Sequence, residues 1–374
     1  METRLEKAVI DEKIKDRLAN LRIPKVFGIS NRKDYAGNSD SMMDISNLDY
    51  HDIALKQINL YGKDVLIYPH VNLQARITMA CDSQCGFCIE RFDSQKVSEL
   101  ESGAYADRLK ESLEVLQKQE VFPSVTITGG EPCLDFERLQ EVIDTLKRMG
   151  VTKFNVNTNG SYIKSNPDLI ELFKGKLPYL NISMHHWDRN LSSEIFNNSS
   201  SINLEDISLI KESLGGGNYN NVPRIRLQCV LLGDYVESIE DIETYLTKAR
   251  EIGIDNVSFR GLSKLACGKY QDKKIVKMSD ILDELGHSVI NGQKSDWEFV
   301  CQNIADWYCY EDWKWGEKEG KWIDVHMNFS NMANLRRYET EERKDGKQYA
   351  REFVLFEDGT FSTGWNKDLG TLKK

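Results

Sequence analysis

VNLQARITMACDSQCGFC, residues 71–88, joins a strand to a cysteine loop and sets the fold of the chain. In its first half Leu73, Ala75, Ile77 and Met79 alternate with Gln74, Arg76 and Thr78. That period of two predicts a strand with one face packed on helices and one polar face. Its second half, Cys81-Asp-Ser-Gln-Cys85-Gly-Phe-Cys88, places three thiols on one loop just past the strand end. Thiolates are the usual protein ligands of iron-sulfur clusters, and a cubane of four irons needs four ligands, so three cysteines leave one iron open. A zinc loop is the alternative. It requires a fourth ligand at short spacing, and no Cys or His lies between Cys88 and Cys133.

Working outward, five more β-rich runs follow: SVTIT (124–128), KFNVN (153–157), YLNISM (179–184), RIRLQCVLL (224–232) and NVSFR (256–260). Each leads into a loop at its C-terminal end. Helical stripes separate them. Leu139, Val142, Ile143, Leu146 and Met149 precede Gly150, and Ile239, Ile242, Leu246, Ala249 and Ile252 precede Gly253, each glycine placed for a left-handed cap. Parallel βα units joined by right-handed crossovers predict an α/β fold, a partial (β/α)6 TIM-like barrel over residues 71–262, with ligands at the C-terminal strand ends. Residues 1–70 are expected to form an N-terminal helical extension, with an amphipathic helix (Leu5, Ala8, Val9, Leu18) and a polar loop around Asn31 to Asp44. Residues 263–374 are expected to form a C-terminal α+β extension covering the substrate. They carry six of the seven tryptophans and end in REFVLFEDGTFSTGW, a hairpin turning at Asp358-Gly359.

At 374 residues, with 40% hydrophobic and 29% charged residues, the composition is that of a soluble globular protein. No apolar run approaches the roughly 20 residues that span a bilayer, so no membrane partner is expected. A net charge of −10 gives no electrostatic footprint for a phosphate backbone, which argues against nucleic acid. The charged, amphipathic N-terminus carries no export signal. Eight cysteines then point to a reducing compartment, the cytoplasm, with thiols kept for metals or catalysis.

The CxxxCxxC spacing with Phe87 before the last cysteine resembles the signature of the radical S-adenosylmethionine (SAM) superfamily, over the six βα units. Thr128-Gly129-Gly130-Glu131-Pro132, ending the second strand, resembles that family's GGE motif, whose backbone and carboxylate hold the methionyl amino group of SAM. Paired glycines allow close backbone approach, and a carboxylate can bind an ammonium. Asn157-Thr158-Asn159-Gly160 resembles the family's TNG segment, although Asn-Gly is also simply a good turn. Ser183 resembles the ribose-contacting position, and His185 shares its face by alternation. On the fifth strand Arg226 and Gln228 share one face, opposite Leu227 and Cys229. An inward Arg suits the SAM carboxylate or an ion pair. Arg260 is a further, looser match.

The resemblance implies one 4Fe-4S cluster on Cys81, Cys85 and Cys88, bound SAM, and an external one-electron donor of the flavodoxin or ferredoxin type. It implies reductive cleavage of SAM to a 5′-deoxyadenosyl radical that abstracts hydrogen from a small-molecule biosynthetic substrate, or alternatively from a peptide or protein residue. A noncatalytic scaffold that keeps the cluster is the third possibility. The strand-end motifs resemble most the branch containing the molybdenum-cofactor cyclase and peptide-modifying enzymes, but the cyclase's second set of cysteines is missing. Cys267, Cys301 and Cys309 lack the compact spacing of an auxiliary cluster. They are expected as thiol hydrogen donors or as small buried hydrophobes.

Overall fold

A computed structural model describes residues 55–88, 100–199, 201–215, 222–262, 275–305, 308–316, 322–330 and 348–374. The expected N-terminal helix, the polar loop after it and Cys267 lie outside these residues. In chain order run β1 (Lys56–Leu60), β2 (Lys63–Arg76), α1 (Ser102–Lys118), β3 (Ser124–Thr128), α2 (Phe136–Arg148), β4 (Phe154–Thr158), α3 (Pro167–Phe173), β5 (Tyr179–Ser183), α4 (Arg189–Phe196), α5 (Leu204–Leu214) and β6 (Arg224–Leu231). There follow α6 (Ile239–Glu251), β7 (Asn256–Gly261), α7 (Met278–Ile290), β8 (Trp297–Ala305), β9 (Tyr308–Trp315), β10 (Ile323–Ser330), β11 (Gln348–Leu355), β12 (Phe361–Ser362), α8 (Lys367–Gly370) and β13 (Thr371–Lys373). The fold is α/β with parallel strands and intervening helices, a partial TIM-like barrel. No helix among the described residues is long and apolar enough to cross a membrane.

The described residues fall in two compact units, one drawn from Ala54–Gln228 and Arg336–Lys374, the other from Cys229–Leu265 and Gln271–Leu335. In the first, β2, β3, β4, β5 and β6 lie side by side and parallel. The helices between them form where the stripes predict. Asp135 caps α2 by accepting from the Arg138 amide at 3.1 Å, and Leu139, Val142, Ile143 and Leu146 are buried. Burial of each such side chain contributes about 1.5–3 kcal/mol.

The first predicted strand differs from expectation at both ends. β2 begins at Lys63, paired with β1 in a hairpin, so residue 70 lies inside a strand. It stops at Arg76, and Ile77, Thr78 and Met79 leave it as the stem of the cysteine loop. The stem's hydrogen bonds go instead to the end of β3 and the turn beyond it. Ile77 N donates to Thr128 O at 2.9 Å, and Thr78 O accepts from Gly130 N at 2.7 Å. Nor is the polar side of this stretch solvated: Arg76 and Thr78 are each 2% exposed. Arg76 faces Glu357 at 3.0 Å, a fully buried carboxylate.

Glu357 follows β11, which runs parallel to β2 on the edge opposite β3. Residues 348–374, within the span expected to cover the substrate, thus extend the sheet beside the cysteine-bearing strand. The hairpin between β11 and β12 turns at Asp358-Gly359, with Gly359 at φ +79° and its amide donating to Phe356 O at 2.8 Å.

In the second unit β10 pairs in parallel with β7 and antiparallel with β9, and β9 pairs with β8. Trp297, Trp313 and Trp315 are buried, the first two edge to face at 6.2 Å, and the Arg250 guanidinium lies 4.6 Å over the Trp315 ring. These three tryptophans therefore act as core.

Candidate active site

Cys81, Cys85 and Cys88 form no disulfide and stand on the loop that leaves β2. Cys88 N donates to Cys85 O at 3.2 Å, closing the turn between them. Cys81 is exposed as a residue, yet its thiol is shielded enough that burial pushes it up to about 11; the Ser83 amide works against this, and Glu131 and Asp82 add to it. A thiolate there needs a neighbouring cation, which iron supplies. Among the described residues no three His, Cys, Asp or Glu side chains are gathered as a single-ion site. Three thiols on one loop fit an iron-sulfur cluster.

Beyond β3 the chain turns through Gly129, at φ +150°, and Gly130. A Cβ on Gly129 would lie 2.3 Å from Thr78 O, and one on Gly130 would lie 2.1 Å from Ala80 O. The close approach these glycines permit is therefore to the stem of the cysteine loop. Two backbone bonds of 2.7 Å, Gly130 N to Thr78 O and Glu131 N to Ala80 O, fasten turn to stem.

Glu131 is 1% exposed. Its Oε1 accepts from Cys133 N at 2.9 Å and Thr158 Oγ1 at 2.7 Å, and its Oε2 from Asn159 N at 2.7 Å. Burial raises its pKa, and the three hydrogen bonds pull the other way. The carboxylate expected to face an ammonium is thus engaged by three donors of its own chain, tying the turn after β3 to the segment after β4. Thr158 is buried in that same contact. Asn157 Oδ1 accepts from Asn181 Nδ2 at 2.8 Å across β4 and β5. Gly160, at φ +76°, lies where a Cβ would fall 2.6 Å from Ile202 Cδ1.

Ser183 ends β5 opposite Gln228 on β6, and Asn181 lies opposite Arg226. Arg226 and Gln228 share a half-buried face, with Leu227 and Cys229 buried on the other. His185 differs from the alternation argument. It is 4% exposed and packs between Phe87, edge to face at 5.0 Å, and Phe196 at 4.8 Å. Burial pulls its pKa down to about 3, so the ring is neutral and braces the aromatic residue of the cysteine loop.

The remaining thiols are dispersed. Cys133 and Cys229 are buried, and burial raises both thiols. In the second unit Cys301 Sγ donates to Asp312 Oδ2 at 3.4 Å, while Asp312 Oδ1 lies 2.6 Å from His326 Nδ1. Burial, then Asp312, pushes the Cys301 thiol up to about 11. Arg260 is exposed on β7. Cys267 and the side chain of Cys309 lie outside the described residues. Sequence reasoning missed Asp82, because the residues between motif cysteines carry no pattern of their own.

Residues 76–226 match the family model of the Radical SAM superfamily. Over 160 residues the chain is 28% identical to an S-adenosylmethionine-dependent nucleotide dehydratase of Lacinutrix mariniflava, covering 42% of this chain and 32% of that protein. Over 223 residues it is 25% identical to a probable GTP 3′,8-cyclase of Sulfolobus acidocaldarius, covering 60% and 64%. The chain thus spans less than two thirds of these relatives. In fold it is similar to Streptococcus suis SuiB bound to the precursor peptide SuiA, with a TM-score of 0.50 and 17% identity over 96% of this chain and 71% of that one. The matched span opens on the strand that delivers the cysteine loop and closes on the strand that bears Arg226, so residues 76–226 carry a domain of the Radical SAM superfamily, like that of the S-adenosylmethionine-dependent enzymes the chain resembles.

Proposed function

We propose that this enzyme holds one 4Fe-4S cluster through Cys81, Cys85 and Cys88, binds SAM at the adjoining strand ends, and abstracts hydrogen from a small molecule of the nucleotide class. The observation that carries the reading is the direct fastening of the cysteine-loop stem to the glycine turn, which brings a thiol donor set and a SAM-type motif into one rigid piece. When bound, the cluster and SAM supply electron transfer and sulfonium cleavage to a 5′-deoxyadenosyl radical, with the electron coming from a flavodoxin or ferredoxin type donor. The chain's own residues bind and orient. Gly129 and Gly130 offer backbone groups, while Asn157, Ser183, Arg226 and Gln228 offer a half-buried polar face, with the guanidinium suited to a carboxylate. Phe87 and His185 exclude water beside the loop, and Glu131 with Thr158 holds the turn in place.

The nucleotide class rests on the names of the two sequence relatives. A peptide substrate is the second reading, favoured by the peptide-bound state of the structural neighbour. Anaerobic reconstitution with deuterated nucleotides, following label into 5′-deoxyadenosine, tests the choice. Label transfer from a nucleotide is expected. Stimulation by a peptide fraction alone would favour the second reading, and a fully loaded protein that binds SAM but never cleaves it under strong reductant would indicate a scaffold.

A further inference from the structure

Each of the three residues between Cys81 and Cys85 is held from outside the loop. Asp82 Oδ1 accepts from Asn159 Nδ2 at 2.7 Å, and its Oδ2 from Ser161 Oγ at 2.5 Å and Asn198 Nδ2 at 3.3 Å. Ser83 Oγ lies 3.0 Å from Asn159 Nδ2 and 3.2 Å from Asn198 Nδ2. Gln84 N donates to Phe196 O at 2.9 Å, and its Oε1 accepts from Asn197 Nδ2 at 3.4 Å. The anchors are themselves fixed. Asn159 is bound through its amide to buried Glu131, Ser161 is 6% exposed, and Asn197 caps α4 in the left-handed conformation at φ +48°.

We propose that Asp82 is a positioning residue: its carboxylate clamps the cysteine loop to the segment after β4 and to the end of α4, setting the ligating shape of the loop before iron arrives. The proposal rests on the reading that Cys81, Cys85 and Cys88 hold a cluster. Ordering a loop costs free energy for every residue fixed, and a loop that must order as it captures metal loses that amount from its affinity. A carboxylate suits the task because it only accepts, and its two oxygens take donors arriving from several directions. Asp82 is exposed, yet both of its oxygens are committed to donors of its own chain. Asn159 is the junction, since its side chain reaches Asp82 while its backbone reaches Glu131. The clamp therefore joins the cysteine loop to the glycine turn through a route separate from the stem.

The test compares Asp82→Ala, Asp82→Asn, Ser161→Ala and the Asp82→Ala/Ser161→Ala double variant as anaerobically reconstituted full-length protein. The readouts are the rate at which a ferrous chelator strips iron, the electron paramagnetic resonance spectrum of the reduced cluster, and the melting of the metal-free protein. Asp82→Ala is expected to speed iron loss about tenfold, as outer contacts to metal ligands do, and to alter the spectrum while leaving the metal-free melt in place. Ser161→Ala should show part of the effect, and the double variant should lose iron no faster than Asp82→Ala, because the bond from Ser161 is among those that Asp82→Ala already removes. Wild-type stripping and spectrum in Asp82→Ala would overturn the proposal, as would full additivity in the double variant. If Asp82→Ala fails to fold, Ser161→Ala and Asp82→Asn decide by the same two readouts. A wild-type protein that takes up no iron would overturn the cluster reading itself, and the proposal with it.

Discussion

The loop after β2 and the strand β8 both present partly exposed cysteines, and they fix them by opposite means. Cys301 sits in a ladder, where pairing with β9 sets the backbone and the thiol meets what the neighbouring strand offers, here Asp312. Cys81, Cys85 and Cys88 have left the ladder. The backbone that carries them is held by side chains and backbone groups from elsewhere. A ladder fixes one thiol cheaply and in isolation, whereas a loop can gather several donors for one cluster provided something else orders it. The sharpest break of this comparison is a cysteine series. Ala at Cys81, Cys85 or Cys88 should abolish cluster iron while Cys301→Ser leaves iron unchanged, read by iron and sulfide analysis. Iron loss on changing Cys301 would show that the ladder cysteine also serves the cluster.

The stem of the loop gives the next largest effect. Arg76, five residues before Cys81, shares a fully buried ion pair with Glu357, and Lys367 stands 3.8 Å from the same carboxylate. Removing one partner strands the other charge away from water. Glu357→Ala is expected to cost about 3–5 kcal/mol in urea unfolding. A loss below about 1 kcal/mol, the level of a surface pair, would mean that the C-terminal segment does not support the cysteine-bearing strand.

How much of this was legible in the sequence follows from how local each signal is. β3 to β7 show in the sequence because each is a short alternating run that ends in a loop. The N-terminal half of β2 does not, because Pro69 lies within it and a proline argues against a strand interior. β11 beside β2 leaves no local trace at all: Gln74 and Glu352, hydrogen-bonded across that pair, are 278 residues apart. Alternation assigned Arg76 to the polar side but could not supply Glu357. It misplaced His185 because period two stops where β5 stops, at Ser183. The thiols and the GGE turn were legible as chemistry. Their fastening was not, since Asp82 occupies a position the motif treats as filler.

His185 tests whether the cysteine loop is braced by a neutral ring. Its folded pKa, about 3, lies below the ordinary 6.5, so the unfolded chain takes up the proton first as pH falls. Its contribution to stability is therefore complete above about pH 6.5 and is lost as pH falls toward 3. Between pH 7 and 5 the loss should be about 2 kcal/mol, absent in His185→Phe. The ring's proton resonances should show no titration over that interval. A midpoint near pH 6.5 would mean that the ring is open to solvent and free to meet a ligand instead.

Glu131 gives the smallest effect and discriminates most finely between holding a loop and touching a ligand. In Glu131→Gln one oxygen becomes an amide that cannot accept, so one of the bonds from Cys133, Thr158 or Asn159 is lost. Relief from burying a charge offsets part of that, leaving a net cost of about 1 kcal/mol at neutral pH. The sign with pH is fixed by linkage. Burial raises the folded pKa of Glu131 above the ordinary 4.5, so the native state holds the proton more tightly than the unfolded chain. That contribution is fully present below about 4.5 and is lost as pH rises through the raised folded value. The variant, which cannot titrate, should therefore fall further behind the wild type as pH is lowered through this window. Iron content should be unchanged and SAM affinity reduced, because the turn shifts while the thiols stay. Unchanged SAM affinity together with the stability loss would make Glu131 a brace for the fold alone, with no bearing on where SAM sits.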